Sequence, residues 1–532
     1  MNLKQFAIHR TFQKVTASNQ MVIGEDYSLP EGKPDILKIL QKKSEVRVAE
    51  VRAEKGKIRI KGTFALWVLY LAQRSEEAAA CLEMEFPFEE ILYMEDAANG
   101  DQLSVRWETE ELKVTMIHPG KLGIHALVTL HGEIVADEEC MITEDVEEEK
   151  NLFSKTESMT MADPVVNRKE TYTVRQEVAL PANKANVDNI LWKELQLRNP
   201  ELRLQEGRVA VKGEMLLFVL YQGEEEDGNT KIQWLEQALP FQGVLEVPGV
   251  TAECFGSMEV ETAGQKIEVK PDYDGEMRLL LGEMNIEISM QLYSQRDCRI
   301  LKDAYSIVDE VELKTEEVVC EKLRMHQETV CKVQGVEQIE PDLGIEKVLG
   351  HQAVLKNSSV KMTDRGLLWE GLLEVQILYL TEDREEPLGN VWMQLPCSQL
   401  IEVPNKKTED RWKLHPLIEQ VVIDIQQPDQ LRFRGEIGLR LCVMEQIAVK
   451  NVTEIEQKSP DSEKCKKGPS MTIHFVQQGE TMWTLAKKNR MPVEELKAMN
   501  ELTGEVLTPG QKLLLLKKSP EEIVLEGSNW EK

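Results

Sequence analysis

Three histidines in the first quarter of the chain come closest to a chemical site by residue type and spacing. His118, His125 and His131 lie near one another, and Glu133 follows closely. On an alternating strand, His125 and His131 would point to the same face, as two metal ligands must. No cysteine or aspartate stands at ligand spacing beside them, so we predict no metal centre here.

Catalytic motifs are also missing from the sequence. It has no G-x-S-x-G, no G-x-x-x-x-G-K, no H-E-x-x-H and no G-x-G-x-x-G. Acidic runs at 147–149 and 224–227 stand beside Lys, Gly or Asn and are typical of solvated loops. We therefore expect no enzyme, no catalytic residue and no cofactor.

Charge and hydropathy exclude two classes of partner. The 532 residues include 64 Lys and Arg against 93 Asp and Glu, a formal net charge of −29. Nucleic-acid affinity depends on cations that displace counterions, so we expect no nucleic-acid partner. The longest apolar run, residues 64–72, is much shorter than a membrane span, and we expect no transmembrane segment.

The N-terminus and the cysteines indicate the compartment. The first residues lack the apolar core of a secretory signal. Nine cysteines, an odd number, are scattered without a Cys-x-x-Cys pair, which favours buried, reduced thiols over a disulfide framework. We expect a cytoplasmic protein.

One apolar strand pattern occurs three times and divides the chain into domains. A glycine precedes a tyrosine by eight positions in each copy, and Leu-Pro-Phe-like and Gly-Glu-apolar segments follow in the same order. The pairs are Gly62 and Tyr70, Gly213 and Tyr221, and Gly371 and Tyr379. We predict three homologous domains at about 30–150, 165–310 and 320–450.

The pattern inside each repeat is that of a β-sandwich. Short alternating apolar segments end at Gly, Pro, Asn or Asp, at the spacing typical of sandwiches. Residues 36–40 and 187–191 fit either a short helix or a strand. We interpret the repeated glycines as close backbone approaches and the repeated tyrosines as inward rings with a hydroxyl at the rim. The expected fold class is mainly β: three tandem, homologous, sandwich-like domains.

A polar, proline-containing stretch at 451–470 predicts a flexible linker, and a small module follows at 471–518. Its pattern is a strand, two short helices and a closing strand, with Thr481 as a helix cap. Segments 474–486, 495–500 and 509–513 resemble the LysM family at nearly every defining position. The resemblance implies a βααβ fold that binds N-acetylglucosamine polymers in a groove between two loops.

Carried over residue by residue, this resemblance names the groove candidates. One loop supplies Gly479, Glu480, Thr481 and Met482, and the other supplies Asn500, Leu502, Leu507 and Pro509. The structural alternative is that Gly479, Thr481 and Asn500 only set turns and caps.

The module also differs in charge from the rest of the chain. It is basic by about two charges in a strongly acidic chain, which suits an acidic protein partner. Trp483 lies about 100° around the helix from the inward Met482, so its ring is a candidate interface anchor. The alternative is that Trp483 only covers the small core.

The three repeats resemble the SPOCS domain of clostridial sporulation proteins. Three such domains before a LysM module are similar to spore coat morphogenetic proteins that bind a coat ATPase, stage IV sporulation protein A. The resemblance implies a non-enzymatic coat assembly factor in the mother cell, at the forespore surface or spore coat. Two alternatives are a peptidoglycan-binding protein of the cell wall or spore cortex and a hydrolase targeted by its LysM module.

Overall fold

Long antiparallel strands build the repeated part of the chain in the computed structural model. The structure describes all residues except 1, 74–77, 96, 98–101, 148–150, 225–229, 340–343, 384–385, 428, 459–470, 505 and 517–532. The first repeat contains β1 (Leu3–Ser28), β2 (Ile36–Glu54), β3 (Lys57–Ala72), β4 (Ala79–Tyr93), β5 (Gln102–His118) and β6 (Lys121–Val146).

The other two repeats have the same number and order of strands. The second contains β7 (Leu152–Ala179), β8 (Asn189–Gln205), β9 (Arg208–Glu224), β10 (Thr230–Glu246), β11 (Phe255–Pro271) and β12 (Met277–Ser306). The third contains β13 (Glu310–Gln338), β14 (Lys347–Met362), β15 (Gly366–Leu380), β16 (Leu388–Glu402), β17 (Arg411–Gln427) and β18 (Gln430–Lys458). The two segments whose sequences fitted either a helix or a strand contribute to strands, since Ile36 begins β2 and Asn189 begins β8.

Each repeat is a sandwich of two three-stranded sheets. In the first repeat the sheets are β2-β3-β4 and β1-β6-β5, and the corresponding strands pair in the same order in the other two. Apolar residues of both sheets form one core per repeat. The predicted mainly β fold with three homologous, sandwich-like domains is confirmed.

The repeated glycine lies under an aromatic ring or a backbone carbonyl. A Cβ on Gly62 would lie 2.5 Å from the Arg47 carbonyl oxygen and 2.7 Å from the Phe88 ring. On Gly213 it would lie 2.9 Å from the Phe241 ring, whereas on Gly371 the nearest atom is in the Trp369 side chain, at 3.0 Å. Any side chain larger than hydrogen would displace these neighbours, which supports the structural interpretation of the glycines.

The tyrosine that ends the pattern points into the core of its own domain. Tyr70 and Tyr221 are fully buried, and their hydroxyls donate to the Pro34 and Ala185 carbonyl oxygens, at 2.9 and 3.0 Å. These bonds satisfy the hydroxyl at the sandwich rim, as a buried tyrosine requires. Tyr379 is likewise buried in the third core.

The leucine before each tyrosine points the other way, because neighbouring residues of a strand face opposite sides of a sheet. Leu69, Leu220 and Leu378 enter one apolar cluster shared by all three domains, which we call the hub. The other buried members of the hub are Leu40, Leu71, Ala79, Leu191, Trp192, Phe218, Leu349 and Leu388. The nearly unbroken apolar run before each tyrosine therefore serves two cores.

Beyond each sandwich, the two longest strands continue as a two-stranded ribbon. The ribbons pair 3–13 with 135–146, 152–164 with 293–306, and 310–323 with 444–458. Buried side chains of all three ribbons pack together, and we call the three ribbons the stalk. Within it, the Asn451 amide accepts from the Thr143 N–H at 2.9 Å and donates to the Met141 carbonyl at 2.8 Å.

The stalk includes segments that lie outside the domain ranges predicted from the sequence. Strand β1, at 3–28, precedes the predicted start of the first repeat, and the segments 152–164 and 311–319 belong to β7 and β13. Residues 451–458 of the predicted linker continue β18, and 459–470 lie outside the described residues. The chain passes between domains at the stalk end, where the C-terminal module also begins.

Candidate glycan- and partner-binding site

The C-terminal module has the βααβ fold expected from its sequence. It contains β19 (Met471–Phe475), α1 (Met482–Asn489), α2 (Val493–Met499) and β20 (Lys512–Leu516), with β19 paired to β20. Thr481 caps α1, because its hydroxyl accepts from the Thr484 N–H and the Thr484 hydroxyl accepts from the Thr481 N–H. Arg490 ends α1 in the left-handed conformation.

Two loops meet beside this small sheet, as a groove between loops requires. The Val476 N–H donates to the Gln511 carbonyl at 2.9 Å, and the Gly510 N–H donates to the Val476 carbonyl at 2.8 Å. Gly479 and Gly510 have φ of +89° and +86°, a left-handed backbone that disfavours other residues. The two loops are therefore neighbours in space at Val476 and Gly510.

Three of the predicted groove residues have their side chains occupied inside the module. Met482 is 2% exposed and belongs to the module core. The Gln477 N–H and the His474 ring, at 2.9 and 2.6 Å, hold the pKa of the Glu480 carboxyl below its usual range. The Asn500 amide accepts from the Leu514 N–H at 2.6 Å and donates to two carbonyl oxygens.

The remaining groove candidates are accessible. Gly479, Thr481 and Pro509 are exposed, and Leu502 and Leu507 are half-buried against the module core. These five residues are the groove candidates that remain at least partly exposed. The contacts of Asn500 agree with the alternative that this residue has a structural role. Thr481 caps a helix and is also exposed.

Trp483, the predicted partner anchor, contacts the chain's own stalk. Its indole Nε1–H donates to Asp303 Oδ2 at 2.8 Å, and its ring meets the Tyr305 ring edge-on with centroids 4.9 Å apart. The Tyr305 hydroxyl donates to the Met491 carbonyl at 2.8 Å, and burial raises the pKa of Tyr305 to about 12. In this arrangement the Trp483 ring is engaged by the chain's own stalk.

The basic residues of the module also meet acids of the stalk. Lys487 Nζ lies 2.5 Å from Asp303 Oδ1, and the Arg490 guanidinium lies 3.0 Å from Glu310 Oε1. Part of the module's positive charge, which was expected to attract an acidic partner, is thus neutralised within the chain. Sequence reasoning missed Asp303, Tyr305 and Glu310, because the alternation of β12 and β13 marks them only as strand residues.

The histidines that came closest to a metal site are not brought together. His125 and His131 lie on the same exposed face of β6, but six residues apart, or about 20 Å along a strand. Among the described residues there is no group of three metal-ligating side chains, and no helix is both long and apolar enough to cross a membrane. Burial raises the pKa of Cys81 to about 12 and that of Cys442 to about 11, which keeps these thiols protonated. Of the two acidic runs, 148–149 and 225–227 lie outside the described residues.

Comparisons with known proteins agree with this division of the chain. The family described as SipL, SPOCS domain, matches residues 35–117, 186–270 and 344–426, and the LysM domain matches 474–515. The uncharacterized protein YkzQ of Bacillus subtilis (strain 168) is 38% identical over 39 residues, which are 7% of this chain and 52% of that protein, about half its length. No solved structure matches the chain. Both matched domain types are non-catalytic binding domains. The chain is therefore a sporulation-related protein with three SPOCS domains followed by one LysM domain.

Proposed function

We propose that this protein is a non-enzymatic assembly factor of the spore coat, which acts in the mother cell at the forespore surface. Its partner is a coat ATPase similar to stage IV sporulation protein A. The observation that carries the proposal is the hub, in which Leu69, Leu220 and Leu378 join the three SPOCS domains into one body. Such a body presents surfaces of three homologous domains in a set arrangement, as an assembly scaffold needs.

The LysM module adds a glycan contact at the stalk end. Gly479, Thr481, Leu502, Leu507 and Pro509 form its open surface, while Trp483 and Lys487 are engaged with the stalk. The docked side of α1 and the two loops are thus used for different purposes. In this proposal, the ligand of the loops is a polymer of N-acetylglucosamine.

The partner is tested with the full chain and the purified coat ATPase, by biolayer interferometry. We expect saturable binding, and we expect Pro509→Arg, which adds bulk to the open LysM surface, to leave that binding unchanged. If the full chain does not bind the ATPase at concentrations of tens of micromolar, the proposed assembly role is refuted.

The glycan contact is tested separately, by titration of chitohexaose into the full chain. Pro509→Arg should abolish binding, and Tyr273→Arg, at a fully exposed position of the second SPOCS domain, should leave it intact. Equal binding by both variants would contradict the groove. Glycan binding without ATPase binding, together with location in the cortex or wall, would favour the alternative of a peptidoglycan-binding protein.

A further inference from the structure

The small sheet of the LysM module is apolar on both of its faces. Leu513 and Leu515 of β20 are 1% and 5% exposed and belong to the module core that they share with both helices. Leu514 and Leu516 alternate with them, so their side chains point to the opposite face of the sheet. An antiparallel sheet with one face in water normally carries polar residues on that face. The run of four leucines instead has the pattern of a strand that is covered on both faces.

The neighbouring strand, β19, adds three large apolar side chains to that opposite face. They are those of Met471, Ile473 and Phe475, which are 57%, 64% and 56% exposed. The described residues of the chain therefore leave them open to solvent. Each lies directly opposite an outward-facing residue of β20, and we call the six side chains together the outer face: Met471, Ile473, Phe475, Lys512, Leu514 and Leu516.

The stalk contacts the module elsewhere. Its contacts go to Trp483, Lys487, Arg490 and the Met491 carbonyl, which lie on α1 and just after it. Contiguous exposed apolar patches in proteins commonly mark interaction surfaces. Since five of the six side chains of the outer face are apolar, we expect it to have a partner beyond the described residues.

The chain itself continues directly from this face. Residues 517–532, which lie outside the described residues, follow Leu516 at the end of β20. Their sequence has a turn signal, Ser519-Pro520, and then an apolar run, Ile523-Val524-Leu525. Four residues are enough to reverse the chain, and the six after them would span about 20 Å when extended, against about 17 Å for β20. The apolar run can therefore reach every part of the outer face.

Charge favours the same segment. Lys512 lies at one end of the outer face, with its Nζ 5.6 Å from the centre of the Phe475 ring, and has no ion-pair partner among the described residues. Residues 519–531 contain four glutamates and no Lys or Arg. A segment that turned at 517–520 and ran back along β20 would bring Glu526 to the Lys512 end. The register that places the apolar run on the outer face thus also gives this lysine an acidic partner.

We propose that residues 521–526 fold back over the outer face of the LysM sheet, with Ile523 and Leu525 packed against it and Glu526 beside Lys512. The module then has three separate contact surfaces: α1 for the stalk, the two loops for the proposed glycan, and the sheet for this segment.

The segment lies on the face of the sheet and does not add a strand to its edge. The Asn500 amide already accepts from the Leu514 N–H at 2.6 Å and donates to the Leu514 carbonyl at 2.9 Å, which closes the edge of β20. Alternate residues of an extended segment face opposite sides, so Val524 points to solvent while its two neighbours point to the sheet.

The contact is tested by photo-crosslinking in the full chain at low micromolar concentration. Phe475→p-benzoylphenylalanine keeps an aromatic ring on the outer face and supplies the photoreactive group. We expect irradiation to link it to residues 521–526 of the same chain, identified by mass spectrometry of the tryptic peptide 519–532. The same probe at Tyr273, a fully exposed position of the second SPOCS domain, should give no such link. Absence of the link from position 475, or a link that joins two copies of the chain instead, would overturn the proposal.

A matched pair of variants separates packing from simple tethering near the sheet. Combined Ile523→Ser and Leu525→Ser should lower the crosslink yield about tenfold, because two aliphatic side chains lose their burial. Val524→Ser, on the solvent side, should leave the yield unchanged. Equal yields in the two variants would show tethering alone and refute the assignment. The same results are expected with the probe at Ile473, in the middle of the outer face, which replaces position 475 if that variant does not fold.

Discussion

Replacement of Asp303 should release the LysM module from the stalk. Asp303 accepts from Trp483 Nε1–H and pairs with Lys487, at 2.8 and 2.5 Å. The ion pair is partly exposed and contributes about 0.5–1 kcal/mol. Loss of the acceptor for a half-buried indole N–H adds about 1.5–3 kcal/mol. Asp303→Ala should therefore weaken docking by about 2–4 kcal/mol, and Asp303→Asn, which keeps an acceptor oxygen, by about 1 kcal/mol.

The assay is ¹⁹F NMR of the full chain labelled with 5-fluorotryptophan. The Trp483 resonance is assigned by its loss in Trp483→Phe, and undocking is followed as a sharpening of that resonance with increasing urea. The undocking midpoint should fall in the order wild type, Asp303→Asn, Asp303→Ala. Lys487→Met should lower it in the wild type and have no further effect in Asp303→Ala.

Asp309 provides the matched control for this experiment. It is a nearby acid with no side-chain partner among the described residues, so Asp309→Ala should leave the midpoint unchanged. An Asp303→Ala midpoint equal to that of wild type would refute the assignment of Asp303 as the residue that holds the module.

Three further predictions concern stability. Gly62→Val should lower the melting temperature more than Gly371→Val does, because the first meets a backbone carbonyl and the second meets only side chains; equal melting of both variants and wild type would disprove the steric reading. Burial, helped by the charge of Arg198, lowers the pKa of His351 to about 3. His351 thus contributes stability above pH ~6.5 that is lost as the pH falls towards 3, about 2 kcal/mol between pH 7 and 5; urea unfolding of His351→Gln should show a correspondingly smaller loss, and parallel pH profiles would count against it. Thr481→Ala should cost the LysM module about 1 kcal/mol through its helix cap, measured by loss of helical circular dichroism in urea; an unchanged transition would contradict the capping role.

The sequence predicts each domain better than it predicts how the domains are joined. Gly62 and Tyr70 locate a strand in the sequence. A close approach to a neighbouring backbone requires a glycine, and a buried ring with its hydroxyl at the rim requires a tyrosine. Leu69 carries the information about the hub, but a leucine beside a tyrosine reads equally well as an edge of the domain core. Only the absence of polar residues on either side of that strand indicates a second apolar neighbour.

The stalk and the docked module are harder still to infer. The first ribbon segment, at 3–13, mixes polar and apolar residues, and one buried residue such as Ile8 does not define a strand. The fold of the LysM module follows from its own residues, including the cap Thr481. Its docking depends on Asp303 and Tyr305, far away in sequence, and nothing in the local pattern of either segment specifies the contact.

The hub makes this chain the covalent counterpart of a homotrimer. In a true homotrimer, symmetry would place the same side chain at every equivalent position, and each substitution would be repeated three times. A single chain with three repeats is not under that constraint. The position five residues after the repeat glycine, for example, is Trp67 in the first domain, Phe218 in the second and Gln376 in the third. Each of the three interfaces can therefore diverge by itself while the shared leucines keep the assembly closed.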